Sequence, residues 1–308
     1  MLIDQKKLEI TNFGNSEVYR MSLQSADGRC VYVDFTERQL KCLEYRTDRI
    51  FLIRCSEERL FALIDQASTY GELESIAIKY DFADICDFSN INVFGLKKLL
   101  KVVVRVLYRY PKLRGSLCFI GTHIRYRDAV NRIYRNDQSA LKDLGLQHIC
   151  SPQAAINLGY IVGDLVDQLL RNSDGYIATA VTAYGLLDAI LFDHNDYNGY
   201  AYSKLLSDLK ESEMTGFHPK GCDSPESVVY HEIGHMLDSF CSLSESYEFR
   251  ALMSRLSQMD IYRGLSQYAT TSPKEAIAEA FAEYMCNPYP RPLAKQIGAM
   301  LDQKYRIS

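Results

Sequence analysis

The stretch that decides the fold reads DSPESVVYHEIGHMLDSFC and spans residues 223–241. Its proline favours the first turn of a helix, and Asp223 and Glu226 have the spacing of a capping box. Apolar side chains recur at helical spacing and provide a packing face: Val228, Ile233, Leu237 and Phe240. The sequence therefore predicts a packed helix that carries His231 and His235 on one face.

Two histidines four residues apart lie one helical turn apart, so both imidazoles can point at one ion. His231 and His235 have this spacing, and Glu232 flanks them as a candidate general base. A catalytic zinc ion normally has three protein ligands and one open position. The pattern therefore predicts a Zn²⁺ site that needs one more protein donor.

The residues offer three candidates for this third donor. Glu275 and Glu279 lie on a second predicted helix that begins near Pro273. Glu275 also completes a capping-box pattern with Ser272, and in that role it would leave Glu279 as the ligand. Asp238 is too far along its helix for a short side chain to reach the ion, so we expect it to pack or to orient a ligand. The spacing alone leaves Glu275 and Glu279 open.

Two segments resemble a known group of enzymes. HEIGHMLD (231–238), followed by YATTSPKEAIAEAF (268–281), is similar to the glutamate-zincin metallopeptidases of the anthrax lethal factor type. GFHPKG (216–221) also resembles a stretch that precedes the motif helix in metallopeptidase-like domains of phage head-morphogenesis proteins. The resemblance covers about residues 85–308 and is specific only in 216–238 and 268–285.

The resemblance implies roles for individual residues. Glu275 would be the third zinc ligand, Glu279 a carboxylate that orients a ligand histidine, and Tyr268 a donor to the developing oxyanion. His218 receives no role, because a lone histidine before proline is usually a loop residue. The implied activity is that of a zinc-dependent endopeptidase acting on a protein or peptide substrate.

Two other functions are compatible with the same motif. The domain could be a non-catalytic, metallopeptidase-like structural or assembly protein of a phage or mobile element, in which the metal only holds helices together. It could also be an effector that cuts one host protein, which would share the chemistry and differ in its biological context. An exchangeable water on the metal favours the enzyme, because structural zinc sites are usually closed by four protein ligands.

At 308 residues, the chain is long enough for about two domains. Residues 18–35 alternate around Asp27-Gly28, a strong hairpin signal, and Thr36 and Ser56 are candidate helix N-caps. We therefore expect a small α+β accessory module over residues 1–82. Residues 83–308 are expected to form a mostly helical, zincin-like metallopeptidase domain with a small sheet, so that the fold class is α+β.

Three further elements are predicted within the second domain. Residues 94–110 are predicted to form an amphipathic helix that stops before Pro111. Its apolar face is Leu96, Leu99, Leu100, Val103 and Leu107, and its opposite, basic stripe is Lys97, Lys101, Arg105 and Arg109. A second helix is expected from Ser151-Pro152 to Arg171. Small and β-branched residues over 176–192 indicate sheet. An edge strand beside a peptidase cleft can bind an extended substrate by β-augmentation, whereas an ordinary core strand is the alternative.

Composition narrows the class of partner. The net charge is −4, so nucleic acid is not expected as a partner, and the basic residues along 97–135 are read as a solvated helix face. No apolar segment reaches a membrane-spanning length, and no signal peptide begins the chain. The nine cysteines are scattered without a CxxC pair and are read as reduced thiols. Together these features predict a cytoplasmic protein without membrane contact.

Overall fold

A computed structural model describes most of the chain. The described ranges are residues 8–13, 16–24, 30–39, 50–51, 55–134, 178–181, 188–192 and 199–307. Within them helices dominate and the strands form two small sheets. The expected α+β class is therefore confirmed.

The strands and helices are numbered here in chain order. The strands are β1 (Leu8–Phe13), β2 (Ser16–Gln24), β3 (Cys30–Thr36), β4 (Ile85–Asp87), β5 (Leu117–Thr122), β6 (Ala178–Val181) and β7 (Asp188–Phe192). The first five helices are α1 (Glu57–Gln66), α2 (Tyr70–Lys79), α3 (Val93–Arg109), α4 (His123–Tyr134) and α5 (Gly199–Thr215). The remaining helices are α6 (Pro225–Cys241), α7 (Tyr247–Met253), α8 (Gln258–Gly264), α9 (Pro273–Cys286) and α10 (Pro292–Ile307). Short 3-10 turns cover Pro111–Gly115 and Tyr268–Thr270.

The N-terminal sheet is an antiparallel meander in the order β1-β2-β3. Strands β2 and β3 pair as the alternation predicts, with Gln24 opposite Cys30. The Asp27-Gly28 turn that joins them lies outside the described residues. The hairpin strands are thus confirmed.

The second sheet has four strands in the order β4-β5-β7-β6. Strands β4, β5 and β7 run parallel, whereas β6 is antiparallel to β7, with Ala180 opposite Ile190. The sheet predicted over 176–192 is therefore present as β6 and β7, and residues 182–187 between them are outside the described ranges. Because β6 lies at the end of this strand order, one of its edges faces away from the sheet.

Helix α3 forms the centre of the core, as its sequence pattern predicts. The five apolar positions of its predicted face are all buried: Leu96, Leu99, Leu100, Val103 and Leu107. Its N-cap is Asn92, whose side chain accepts from the Gly95 amide. The helix ends at Arg109, one residue before the predicted end. The second predicted helix, from 151 to 171, lies outside the described residues.

Three residues of the basic stripe of α3 contact acceptors on neighbouring helices. Lys101 contacts Asp65 of α1 at 2.6 Å, and Arg109 contacts Asp302 of α10 at 2.6 Å. Lys97 donates to the carbonyl oxygen of Asp65. These contacts connect α3 to the helices on either side of it.

The N-terminal cap of α1 agrees with the sequence prediction, whereas that of α6 differs from it. Ser56 caps α1 by accepting from the Arg59 amide, as predicted. The capping box expected of Asp223 and Glu226 is wrong, because α6 starts one residue later, with Ser224 as an N-cap that makes no side-chain bond. Glu226 instead lies 3.5 Å from Lys98 of α3. Pro225 occupies the first turn, where a missing amide proton costs nothing.

One hydrophobic cluster extends from Phe51 to Tyr305. Helices α1 and α2 contribute Leu60 and Leu73 to it, and the Phe51 amide donates to the Pro111 carbonyl. The domain boundary near residue 82 remains a prediction, but helices on both sides of it share this core. No helix of the described ranges combines the length and apolarity needed to cross a membrane.

Helices α6 and α9 approach each other closely at Gly234. A Cβ atom built at Gly234 would lie 2.8 Å from the Cα atom of Ala278 and 3.3 Å from the Cβ atom of Phe281. A separation of 2.8 Å from backbone is too short for real Cβ atoms, so this crossing requires glycine. The contact sets the distance between the two helices that carry the predicted ligands.

We expect Gly234→Ala to destabilise the protein by about 1–3 kcal/mol, because the added methyl group forces the α9 backbone away. The intrinsic helix preference of alanine would offset at most about 1 kcal/mol of that cost. Urea unfolding of the full chain measures the difference. Gly71→Ala in α2 is the matched control, since its added Cβ meets nothing within 4 Å. Equal stability of the two variants would contradict the close-packing explanation.

Candidate metal centre

The candidate site lies where α6 crosses α9. Each helix presents two side chains one turn apart, His231 and His235 from α6 and Glu275 and Glu279 from α9. Residues of both helices around these positions are buried in the core. The site is therefore built on two buried helices that cross within the core.

Three donor atoms from these helices meet at one point. The Nε2 atoms of His231 and His235 are 3.1 Å apart, and Oε2 of Glu275 lies 3.1 Å from the first and 3.3 Å from the second. Tetrahedral ligands bound at 2.0–2.1 Å, as for zinc, are about 3.3–3.4 Å apart. The three atoms thus have the spacing of ligands around one small ion. The group can bind a metal ion.

The state of Glu275 supports the same conclusion. Within the described part of the chain, its buried Oε2 atom accepts no well-formed hydrogen bond, although both imidazole Nε2 atoms are within 3.3 Å. A buried carboxylate oxygen needs a positively charged partner: a cation between the three atoms supplies it when bound, and a proton on His231 supplies it in the metal-free protein. The N-cap Ser272 does accept from the Glu275 amide at 3.1 Å. This cap uses only the backbone amide of Glu275. The Glu275 side chain points to the histidines and remains available as a metal ligand.

Glu279 lies behind the donor group and orients one of its members. Its Oε1 atom is 2.8 Å from Nδ1 of His231, so a protonated Nδ1 directs the lone pair of Nε2 at the shared point. Ser266 donates to Oε2 at 2.6 Å. Burial alone would raise the pKa of Glu279, but hydrogen bonds from His218 and His231 outweigh it and lower that pKa to about 2. Glu279 is therefore an anion that keeps the proton on Nδ1 of His231, so that neutralising the imidazole leaves Nε2 free to bind the ion.

Glu232 is buried beside the donor group without being part of it. Its Oε2 atom accepts from the amide of Ala180 on strand β6 at 2.6 Å. Burial raises the pKa of Glu232, while the charges of His231 and His235 oppose the shift. A carboxylate with a raised pKa is better suited to take up and return a proton near neutral pH.

Tyr268 packs against the site. Its ring stacks on that of His231, with centroids 5.8 Å apart, and on that of Phe217 at 5.6 Å. The backbone of the same segment is held by a bond from the Tyr268 amide to the Phe217 carbonyl. The structure thus brings Tyr268 next to a candidate ligand.

Two residues occupy positions that the sequence did not specify. His218, to which no role was given, lies 3.2 Å from Oε1 of Glu279 through its Nδ1 atom. Its partner is 61 positions away in sequence, so no periodic signal links the two. Asp238 accepts from the Ser244 amide at 2.7 Å and closes the turn after α6. The orienting role expected of Asp238 stays a prediction.

Comparison with protein-family models, curated proteins and solved structures finds no match to this chain. The metal-binding capacity of the site therefore rests on the arrangement of its own side chains. Three observations carry it: the donor spacing, the buried Glu275 oxygen that faces both imidazoles, and the carboxylate behind His231.

We expect Glu275→Ala to lose the metal on dialysis, because it removes one of the three donor atoms. Glu279→Ala should keep a metal, bound about 10–100-fold more weakly, because the histidine loses its orienting partner. Elemental analysis and chelator competition on the purified proteins measure both effects. Loss of metal in Glu279→Ala with retention in Glu275→Ala would assign the third donor to Glu279 instead.

Metal binding at pH 7.5 should release about one proton per site. Burial alone would lower the pKa of His231, but the Glu275 and Glu279 carboxylates outweigh it and raise that pKa to about 10. The imidazole of the metal-free protein is then protonated at pH 7.5, and it must become neutral to bind a cation. Titration calorimetry in buffers of different ionisation enthalpy gives the number of protons released. A buffer-independent enthalpy would contradict this expectation.

Proposed function

We propose that this protein is a zinc-dependent endopeptidase. The proposal rests on the position of Glu232. Its buried carboxylate lies beside three metal-donor atoms and accepts a hydrogen bond from the edge strand β6. A structural metal site has no need of an unligated acid at this position. A hydrolase needs one to activate water.

Zinc is the proposed ion because two imidazoles and one carboxylate form a donor set typical of catalytic zinc. The donor spacing also agrees with zinc bond lengths. Other divalent ions accept the same ligands, and elemental analysis of the protein as purified distinguishes them.

The chain's own residues divide the chemistry between them. His231, His235 and Glu275 hold the ion, and Glu279 orients His231. When bound, zinc supplies Lewis acidity, lowering the pKa of water toward about 7 and polarising the scissile carbonyl. Glu232 takes the proton from the attacking water and then delivers it to the leaving amine. Tyr268 donates to the oxyanion of the tetrahedral intermediate.

Strand β6 supports a peptide as the substrate. The Ala180 amide donates to Glu232 and thus points toward the site, on the side of β6 that faces away from β7. An extended peptide aligned with this edge would pair with main-chain groups of β6 and cross the site beside Glu232. We propose a protein or peptide as the partner, acted on in the cytoplasm as the dispersed cysteines suggest.

The alternative of a non-catalytic assembly domain has less support. The described residues supply three donors to the shared point, whereas closed structural zinc sites usually have four. His235 and Glu275 each keep about a fifth of their side-chain surface exposed, with 21% for both. A fourth position open to solvent is the arrangement that a hydrolase requires.

We expect Glu232→Gln to retain zinc and to lose peptide cleavage, because the amide preserves the shape of the site but cannot accept the proton. Cleavage is measured by mass spectrometry of a mixed peptide library incubated with the full-length protein. Tyr268→Phe should lower kcat about 10²–10³-fold at similar KM, the effect of losing one oxyanion donor.

Lys274→Ala on the exposed start of α9 is the matched control and should cleave like the wild type. Unchanged cleavage by Glu232→Gln would overturn the mechanism. A wild-type protein that holds zinc but cleaves nothing in the library would favour the assembly role.

A further inference from the structure

The loop that precedes α6 is held in one conformation by its backbone. Gly216 and Gly221 at its two ends adopt φ of 77° and 78°, in the left-handed region that favours glycine. The amides of Phe217 and His218 both donate to the Ser212 carbonyl at the end of α5. The His218 side chain therefore starts from a well-defined position.

The same loop is bonded to the segment that carries Tyr268. The amides of Gln267 and Tyr268 donate to the carbonyls of Gly216 and Phe217, at 2.9 and 3.1 Å. The rings of Phe217 and Tyr268 lie edge-on to the imidazole of His218, with centroids 5.0 and 5.8 Å away. These contacts aim His218 inward, toward α9.

The carboxylate of Glu279 is the group that His218 meets. Glu279 is only 1% exposed, so its charge depends on donors inside the protein. His231 and Ser266 supply two of these, and Nδ1 of His218 lies 3.2 Å from Oε1 and 3.4 Å from Oε2. His218 is thus the donor that contacts both oxygens.

We infer that His218 is a positioning residue for the metal centre: its Nδ1–H holds the Glu279 carboxylate in the orientation that keeps His231 ready to bind the ion. The inference rests on the metal-binding function proposed above and adds to it a residue from a third segment of the chain. His218 does not touch the donor point itself. It acts through Glu279, which in turn acts through His231.

The physical consequence is a change in metal affinity. Without the His218 donor, Ser266 and His231 are the donors that remain to Glu279 among the described residues, and its carboxylate is held less firmly against Nδ1. The His231 ring then loses its fixed tautomer and direction. Loss of such an outer partner typically costs about 10–100-fold in metal affinity.

A purely structural role for His218 makes a different prediction. If the imidazole only fills space between Phe217 and Tyr268, its removal lowers the stability of the metal-free protein and leaves zinc affinity unchanged. Zinc affinity therefore separates the two roles, metal-free stability shows what His218 contributes to packing, and neither measurement depends on catalysis.

The test compares full-length wild type with His218→Ala and His218→Asn. Asparagine places an amide N–H near the position of Nδ1 and should rescue the donor function. Zn²⁺ dissociation constants are measured by competition with a chromophoric chelator, and thermal unfolding is followed without metal. We expect alanine to weaken zinc binding about 10–100-fold and asparagine to stay within about threefold of wild type. Lys220→Ala, an exposed position in the same loop, should match wild type.

Wild-type zinc affinity in His218→Ala, or an equal loss in the alanine and asparagine variants, would overturn the inference while leaving the proposed function intact. A wild-type protein that binds no zinc would overturn both. If the alanine variant does not fold, His218→Leu replaces it, because leucine keeps the packing and cannot donate. For the leucine variant we then expect the same loss of zinc affinity, about 10–100-fold.

Discussion

The close approach of α6 to α9 at Gly234 is the contact on which the site depends. It brings the two backbones near enough for the side chains of His231 and Glu275 to reach a common point. Any larger residue at 234 would separate the helices and with them the His231 and Glu275 donor atoms. Phe281, which also lies at this crossing, belongs to the main hydrophobic core, so site geometry and fold stability share one cause.

Charge compensation extends outward from this contact in layers. The donor atoms face one another, Glu279 stands behind His231, and Ser266 and His218 stand behind Glu279. Each buried charge is satisfied by the next group, until the last one, His218, reaches partial exposure at 24%. Such an arrangement lets a strongly charged centre exist inside a core that is otherwise apolar.

Local pattern in the sequence predicted the parts of the site that lie on one helix. The i, i+4 spacing placed His231 and His235 together, and apolar periodicity located α3 to within one residue. Local pattern could not predict contacts between segments that are distant in the sequence. Glu275 and Glu279 share a helix face, so spacing could not rank them, and the bonds of His218 and Ala180 span 61 and 52 residues. The capping box at Asp223 failed because α6 begins one residue later, at Pro225, with Ser224 as the N-cap.

The lack of space at Gly234 has a consequence for recognising related chains. A protein that builds this centre from the same two helices needs a small residue at both sides of the crossing, glycine at 234 and alanine at 278. The paired sequence pattern His-Glu-x-Gly-His and Glu-x-x-Ala-Glu therefore reflects the limited space where the two helices cross. The connecting segment reaches the centre through Ser266 and Tyr268 but does not lie at the crossing itself. The paired pattern can therefore identify distant relatives in which the length of that segment differs.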